Sequence, residues 1–207
     1  MKLKSLLVAS VLIVPGLAHA QELAEGTDYR LLSPAQPTIS GTDKVEVAEF
    51  FQYGCGGCYQ LEPHLEAWAE SGKPDNVELV RVHVAWNALA KLHAQAFYTA
   101  QALGKADEIN AAFFAEIHRN RNSLETEAKL AAFFEDFGVS REDFTKTFNS
   151  FSVHTNVQRA EELTRRFRVS QTPTLIVEGK YVTEGGLAGS YANWFEIINQ
   201  LAALEAN

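Results

Sequence analysis

Cysteine is scarce in this chain, because Cys55 and Cys58 carry the only two thiols among its 207 residues. Two cysteines three positions apart can close only a very small loop, which excludes a disulfide scaffold for the fold. A zinc site is disfavoured as well, since structural zinc takes four protein ligands and there is no second cysteine pair. The pair is therefore interpreted as chemical rather than structural, and no metal or cofactor is expected.

Basic residues are also in short supply, with 18 lysines and arginines against 26 aspartates and glutamates. The formal net charge at pH 7 is −8, and the basic residues form no cluster. Such an acidic chain argues against nucleic acid and against an anionic membrane surface as binding partners.

Long apolar runs are missing after the first 20 residues. In that first segment, Lys2 and Lys4 precede an apolar run over 6–17, and Ala18-His19-Ala20 follows as a small-x-small site. This order predicts a secretory signal peptide over 1–20 and excludes a membrane span, which needs a longer run. The remaining residues, about 187, suffice for one domain or for one domain with an insertion.

The two cysteines stand as Cys55-Gly56-Gly57-Cys58, between a run typical of a strand and a run typical of a helix. Backbone N–H groups and the dipole at a helix N-terminus favour a thiolate. Cys55 is therefore predicted to be the attacking thiol of a disulfide exchange. Cys58, one helical turn further on, is predicted to be more buried and to act as the resolving thiol.

The rest of the chain shows two kinds of pattern. Valine-rich and aromatic runs predict strands at 44–51, 77–84, 174–178 and 181–184, the last two joined by a two-residue Gly179-Lys180 turn. Helical periodicity predicts helices at 55–71, 88–103, 105–119, 124–137, 141–149, 153–167 and 191–204. The long stretch between the second and third strands far exceeds one crossover connection, so it is interpreted as a helical insertion beside a small sheet.

Pro173 opens the third predicted strand, where a residue without an N–H group is tolerated. Because the chain also contains the Cys-Gly-Gly-Cys turn, Pro173 is interpreted as a cis-proline that lies against the dithiol. An ordinary trans proline at a strand start is the alternative.

Several of these motifs together resemble the DsbA family of periplasmic thiol-disulfide oxidoreductases. The residues that carry the resemblance are Phe50-Phe51-x-Tyr53-x-Cys55-x-x-Cys58-Tyr59-Gln60-x-Glu62, Arg81-x-His83-Val84, Thr172-Pro173 and Val177-x-Gly179-Lys180-Tyr181. The resemblance implies an α/β, thioredoxin-like fold over 21–86 and 153–207 with an inserted helical domain over 87–152.

The resemblance also implies an activity and partners. The Cys55–Cys58 disulfide would be donated to unfolded, newly secreted proteins in the periplasm and restored by a membrane oxidase of the DsbB type. By position, Pro173 matches the family's cis-proline, and Glu49, Glu62 and Arg81 match charged groups near the active site.

The chain departs from the family pattern at two places. Gly56-Gly57 stands where Pro-His is common, and Thr172 replaces a common valine before the proline. Glycine cannot stabilise a thiolate electrostatically as histidine does, and each 30 mV of potential corresponds to about 1.4 kcal/mol. We therefore expect a less acidic Cys55 and a milder oxidant than Pro-His members. Gly56, Gly57 and Thr172 are the residues expected to contact the client chain.

Glu49 lies inside an apolar run, so it is either on a solvated strand face or buried near the dithiol with Arg81 as its partner. The resemblance favours the second interpretation, with Glu49 as a proton shuttle to Cys58. His83 is predicted to be a core residue. His64 and His93 are predicted to be solvated, and an exposed position is the default for Glu62.

Other functions remain open at this point. Only about 24 residues separate Ala20 from the first predicted strand, too few for the dimerisation domain of a DsbC-type isomerase, which favours a monomer. A reductase is a second alternative within the same chemistry. A peptide-binding chaperone with an incidental dithiol is an alternative from another class, and it predicts that activity survives replacement of both cysteines.

Overall fold

The computed structural model describes residues 23–206. The predicted signal peptide over 1–20 lies outside the described residues. Within 23–206, no helix combines the length and the apolar character that crossing a membrane requires.

In the described part of the chain, five strands form one mixed sheet in the order β1-β5-β4-β2-β3. The strands are β1 (Arg30–Leu31), β2 (Val45–Phe51), β3 (Val77–His83), β4 (Thr174–Val177) and β5 (Tyr181–Glu184). The β2–β3 pair is parallel, whereas β2–β4, β4–β5 and β1–β5 are antiparallel. The predicted thioredoxin-like α/β fold with a helical insertion is confirmed.

Eight α-helices pack around this sheet within residues 23–206. They are α1 (Gly56–Ala67), α2 (Ala88–Ala102), α3 (Ala106–His118), α4 (Glu127–Glu135), α5 (Arg141–Phe148), α6 (Phe151–Arg166), α7 (Gly185–Ala188) and α8 (Tyr191–Glu205). The helices α2 to α6 all lie between β3 and β4 in the chain and constitute the helical insertion. The division of the chain into two domains at residues 86 and 152 stays a prediction.

Strand β2 is central to the molecule, and all seven of its residues are buried. Val45 and Val47 pack into one apolar cluster with residues of α1 and α8. Ala48 and Phe50 pack into a second cluster with residues of α2 to α6. Because alternate residues of a strand face opposite sides, β2 is covered on both faces and its carboxyl end is held rigidly at the Cys-Gly-Gly-Cys turn.

The connection between β4 and β5 is one residue longer than predicted. Glu178, Gly179 and Lys180 separate the strands, and Val177 pairs with Tyr181. Glu178 and Gly179 have φ angles of 50° and 61°, in the left-handed region. A Cβ at position 179 would lie 2.0 Å from the carbonyl oxygen of Gln36, so only glycine fits this turn.

Three short elements were not predicted. Strand β1 lies before the first predicted strand, and its pairing with β5 is a long-range contact. Helix α7 has only four residues. A π-helical turn, Trp68–Gly72, continues α1 where regular helix was expected up to residue 71.

Candidate active site

The Cys-Gly-Gly-Cys turn lies where β2 leads into α1. Cys55 is the N-cap residue of α1, with extended backbone angles, and its Sγ accepts a hydrogen bond from the backbone N–H of Cys58 at 3.2 Å. Cys55 is half-buried, whereas Cys58 is completely buried, and both are free thiols. The predicted difference in burial between the two cysteines is confirmed.

The surroundings of Cys55 lower the pKa of its thiol to about 5. The largest cause is a hydrogen bond from the Cys58 side chain, and partial burial opposes it. A hydrogen bond from the Thr172 side chain and the backbone N–H groups of Cys58 and Gly57 add to the lowering. Because hydrogen bonds to the charged form favour that form, Cys55 is a thiolate at neutral pH.

The surroundings of Cys58 have the opposite effect. Burial raises the pKa of the Cys58 thiol, and the hydrogen bond to Cys55 and the charge of Cys55 raise it further. Cys58 is therefore a protonated thiol that donates to its neighbour. When Cys58 is released from a disulfide, it needs a proton.

Pro173 lies directly against the dithiol. The Thr172–Pro173 peptide bond is cis, and the Sγ of Cys55 is 3.3 Å from the carbonyl oxygen of Thr172. A Cβ at Gly57 would lie 3.2 Å from the Cδ of Pro173. The predicted cis geometry and the predicted position of Pro173 next to the dithiol are confirmed, and the trans alternative is wrong.

Glu49 is buried on β2 with 1% of its surface exposed. Its Oε2 lies 3.3 Å from the Nε of Arg81, its register partner on β3. Burial raises the pKa of Glu49 to about 8 against the opposing charge of Arg81, and a charge on Glu49 in turn raises the pKa of Cys58. The predicted pairing with Arg81 is confirmed, and the solvated-face alternative for Glu49 is wrong.

Glu62 is also buried, with 4% exposed, so the default expectation of an exposed position is wrong. The physical reason is helical spacing, because Glu62 lies one turn after Cys58 on the buried face of α1. Its Oε1 lies 3.1 Å from the Nη1 of Arg81 and also accepts a hydrogen bond from the side-chain amide of Asn110 on α3.

Two of the three predictions about histidines are confirmed. His83 is buried, its Nε2 accepts from the backbone N–H of Tyr53 at 3.1 Å, and burial lowers its pKa to about 3. His64 is exposed, as predicted. His93 is not solvated but 2% exposed, because it lies on the face of α2 that packs on Phe113.

Sequence reasoning missed the contacts that the inserted helices make with this site. The Tyr53 hydroxyl donates to the Oδ1 of Asn110 at 2.9 Å, and the Tyr53 carbonyl oxygen lies 2.8 Å from the Nε2 of His118. The His118 ring stacks on Tyr59 with centroids 4.7 Å apart. The available signal was Asn110 itself, a polar residue beside the apolar residue Ile109 within a helical pattern.

Comparisons with known proteins agree with this geometry. Residues 75–190 match the family model described as a DSBA-like thioredoxin domain. The thiol:disulfide interchange protein DsbA of Burkholderia cepacia is 35% identical over 202 residues, which cover 97% of this chain and 95% of that protein.

Solved structures show the same relationship. The crystal structure of Pseudomonas aeruginosa DsbA superimposes with a TM-score of 0.83 at 32% identity, covering 90% of this chain and 96% of that one. The oxidoreductase DsbA of Xylella fastidiosa gives a TM-score of 0.81 at 26% identity over 88% of this chain and 97% of that one. The chain therefore belongs to the DsbA family of thiol:disulfide interchange proteins, which are thiol-disulfide oxidoreductases.

Proposed function

We propose that this protein is a periplasmic dithiol oxidase that donates the Cys55–Cys58 disulfide to newly secreted proteins. The observation that carries the proposal is the low pKa of Cys55, about 5, at a half-buried helix start. A stabilised thiolate favours the reduced dithiol, and a protein whose reduced form is stabilised gives its disulfide away readily.

The exchange takes place in two substitutions at sulfur. A client thiolate attacks the Sγ of Cys55, the Cys55–Cys58 bond breaks, and Cys58 leaves with the electron pair and takes up a proton. A second client thiolate then attacks the client sulfur of the mixed disulfide and releases Cys55 as a thiolate. Two electrons have then passed from the client to the cysteine pair, and a membrane oxidase of the DsbB type takes them up again.

Glu49 is proposed as the group that supplies the proton to Cys58. A carboxyl with a pKa of about 8 is mostly protonated at neutral pH, so it can act as an acid there. The charge of Glu49 also acts on Cys58, since it raises the pKa of that thiol. During reoxidation the proton returns from Cys58 to Glu49.

The client chain is proposed to bind beside Pro173, with backbone pairing at Thr172 as in strand addition. Gly56 is exposed, and a Cβ built there has no other atom within 4 Å, so the approach to Cys55 is open on this side. Gly57 lies on the other side of the turn, against Pro173. The protein is proposed to act as a monomer.

The test is the equilibrium of the Cys55–Cys58 pair in glutathione redox buffers, followed by alkylation and mass spectrometry. We expect a potential more oxidising than that of the glutathione couple. A strongly reducing potential would contradict the assignment as an oxidase and favour a reductase or an isomerase. Retained activity toward a reduced client in the Cys55→Ser/Cys58→Ser variant would favour the chaperone instead.

The glycine pair permits a second measurement on the same equilibrium. The double variant Gly56→Pro/Gly57→His should make the protein more oxidising, because histidine adds thiolate stabilisation that glycine lacks. A shift of 30 mV corresponds to about 1.4 kcal/mol. An unchanged potential would show that the dipeptide does not set the redox poise of this chain.

A further inference from the structure

Three carboxylates surround the single guanidinium of Arg81. The Oε2 of Glu49, the Oε1 of Glu62 and the Oε1 of Glu66 lie 3.3, 3.1 and 2.7 Å from its nitrogens. The side chains of Glu49 and Glu62 are 1% and 6% exposed, whereas that of Glu66 is 47% exposed. One cation does not compensate two buried anions, so one of the two buried carboxyls keeps a proton near neutral pH.

The two buried carboxyls do not receive equal support for a negative charge. The Oε1 of Glu62 accepts hydrogen bonds from the Nη1 of Arg81 and from the Nδ2 of Asn110. Among residues 23–206, no donor makes a hydrogen bond to either oxygen of Glu49, which has only the ion-pair contact with Arg81. Hydrogen bonds to the charged form favour ionisation, so the charge resides on Glu62 and the proton on Glu49.

The Asn110 amide makes a second hydrogen bond on its other side. Its Oδ1 accepts from the Tyr53 hydroxyl at 2.9 Å, while its Nδ2 donates to Glu62, which can only accept. Asn110 is 5% exposed, and the Tyr53 ring stacks on Phe113 with centroids 4.0 Å apart. A residue of the helical insertion is thus fixed between the segment just before Cys55 and the carboxylate one turn after Cys58.

We propose that Asn110 is a positioning residue of the disulfide exchange, which keeps Glu62 ionised and thereby leaves the exchangeable proton of this cluster on Glu49. The inference rests on the proposed function of Glu49 as the proton donor to Cys58. When Cys58 leaves the disulfide as a thiolate, Glu49 gives up its proton and becomes a carboxylate beside Arg81. When the pair is reoxidised, the proton passes from Cys58 back to Glu49.

The same cluster has a route to solvent. A cavity of about 290 Å³ is lined by Glu66, Arg81, Asp107 and Asn110, where α1 and β3 meet the insertion. Asn110 lines this cavity and also donates to the buried Glu62 carboxylate, so it contacts both the cavity and the buried cluster.

The experiment is a carboxyl-carbon NMR titration of the reduced full-length mature protein, in which Glu49→Gln assigns the Glu49 signal. The titratable groups coupled to Glu49 are Arg81, Glu62, Glu66, Cys55, Cys58 and Tyr53. In Asn110→Leu, the Glu62 anion loses a donor, so its titration midpoint should rise and that of Glu49 should fall, each by about one pH unit. The pH profile of Cys58 release from a glutathione mixed disulfide should shift with Glu49.

Tyr53→Phe is the matched control, because it removes the hydrogen bond from the Tyr53 hydroxyl to Asn110 and leaves the one from Asn110 to Glu62. The Glu62 carboxylate can only accept, so Asn110 still donates to it and the Glu49 midpoint should stay in place. Both variants are expected to lower the melting temperature, which a merely structural bridge would also do. Only the proposed role predicts that the midpoints move in Asn110→Leu alone.

The outcomes separate this inference from the proposed function. Equal midpoints in Asn110→Leu and Tyr53→Phe would overturn the role of Asn110. If Glu49→Gln left the pH profile of Cys58 release unchanged, the proposed function of Glu49 as proton donor to Cys58 would be wrong, independently of the result for Asn110. Should Asn110→Leu not fold, Asn110→Val supplies the test, because valine is smaller, also lacks a donor for Glu62 and should also move the Glu49 midpoint.

Discussion

Cys55 and Cys58 stand three residues apart in one turn of helix, but the regions around them are built differently. The region around Cys55 is open to solvent and stabilises a negative charge through a helix start, the neighbouring thiol and Thr172. The region around Cys58 is buried and contains the carboxyls of Glu49 and Glu62. One sulfur is thus prepared to be a thiolate and the other to hold a proton.

The two halves of the site therefore depend on different parts of the fold. The environment of Cys55 comes mostly from local geometry, namely the first turn of α1 and the loop before β4. The environment of Cys58 depends on charged side chains from β2, β3 and α1 and on an amide from the insertion. Substitutions should therefore affect the second region through stability and the first through redox chemistry.

The largest effect is expected from Arg81→Met, which leaves Glu49 and Glu62 buried without a cation. Removal of one partner of a buried ion pair costs about 3–5 kcal/mol of unfolding free energy. Urea unfolding of the reduced protein at neutral pH measures this loss.

Lys91→Met is the matched control for that variant, since Lys91 pairs with Glu161 at the surface with 54% and 29% of the two side chains exposed. Its expected cost is about 0–1 kcal/mol. Equal losses in the two variants would show that the cluster under Cys58 behaves as an ordinary surface network.

Glu49→Gln should stabilise the protein, and more so as the pH rises. In the folded state, burial raises the pKa of Glu49 from its ordinary value of 4.5 to about 8. Between pH 4.5 and about 8, Glu49 ionises in the unfolded chain but stays protonated in the folded one. The free energy of unfolding of the native protein therefore falls as the pH rises through this range. Glutamine does not ionise, so the gain in unfolding free energy in Glu49→Gln should be small at low pH and reach roughly a few kcal/mol above pH 8.

The measurement is urea unfolding of both proteins at several pH values across this range. A constant difference between Glu49→Gln and the unchanged protein would mean that Glu49 does not titrate on folding. A difference that grows as the pH falls would mean that Glu49 is held as an anion, which would reverse the comparison between the two regions.

Much of the fold was predictable because its elements are defined by local patterns. β2 and β3 differ from their predicted ranges by one residue at most, since each is a compact apolar run. Strand β1 was not predictable, because two residues, Arg30–Leu31, become a strand only through pairing with β5. Helix α4 begins three residues later than predicted, where the side chain of Thr126 accepts from the backbone N–H of Lys129.

The site was predictable where it depends on chain neighbours and less so where it depends on tertiary contacts. The burial of Cys58 follows from its position one turn into α1, and the family resemblance pointed to Pro173. Glu62 and His93 were misjudged because helical position alone does not reveal what packs against that face. Asn110 stood out as a polar residue in a helical pattern, but its partner Glu62 could not be predicted, since the two are 48 positions apart in the chain.

Thr172→Val tests the region around Cys55 with a smaller effect. The Thr172 side chain contributes a hydrogen bond that lowers the pKa of Cys55. Its loss should raise that pKa by about one unit, because a hydrogen bond to a charged group contributes roughly 1.5–3 kcal/mol and one unit corresponds to about 1.4 kcal/mol. The reduced form then loses stability, so the protein should become a weaker oxidant by about 30 mV.

The pH dependence of iodoacetamide alkylation measures this pKa. Thr172→Ser keeps the hydroxyl and is the matched control, which should titrate like the unchanged protein. If serine and valine shifted the pKa equally, the lost methyl packing of Thr172 and not its hydroxyl would be the cause. The stability of Thr172→Val should differ little from that of Thr172→Ser in the oxidised protein.

The smallest effects are expected at the two glycines between the cysteines, which form the first turn of α1. Alanine in a helix is favoured over glycine by up to about 1 kcal/mol, and neither glycine has a positive φ angle. A Cβ at Gly56 meets open space, so Gly56→Ala should stabilise the protein by roughly 0.5 kcal/mol. At Gly57, the Cβ would lie 3.2 Å from the Cδ of Pro173, so the same change should gain less or nothing.

Client oxidation should separate the two alanine variants more clearly than stability does. The added methyl group in Gly57→Ala pushes on the proline loop beside Cys55, so the loop must shift by a few tenths of an ångström. We expect slower exchange with a model dithiol peptide in this variant and an unchanged rate in Gly56→Ala. Equal rates would mean that the shift of the Pro173 loop does not affect the exchange. The region around Cys55 would then tolerate an added methyl group at Gly57 as well as at Gly56.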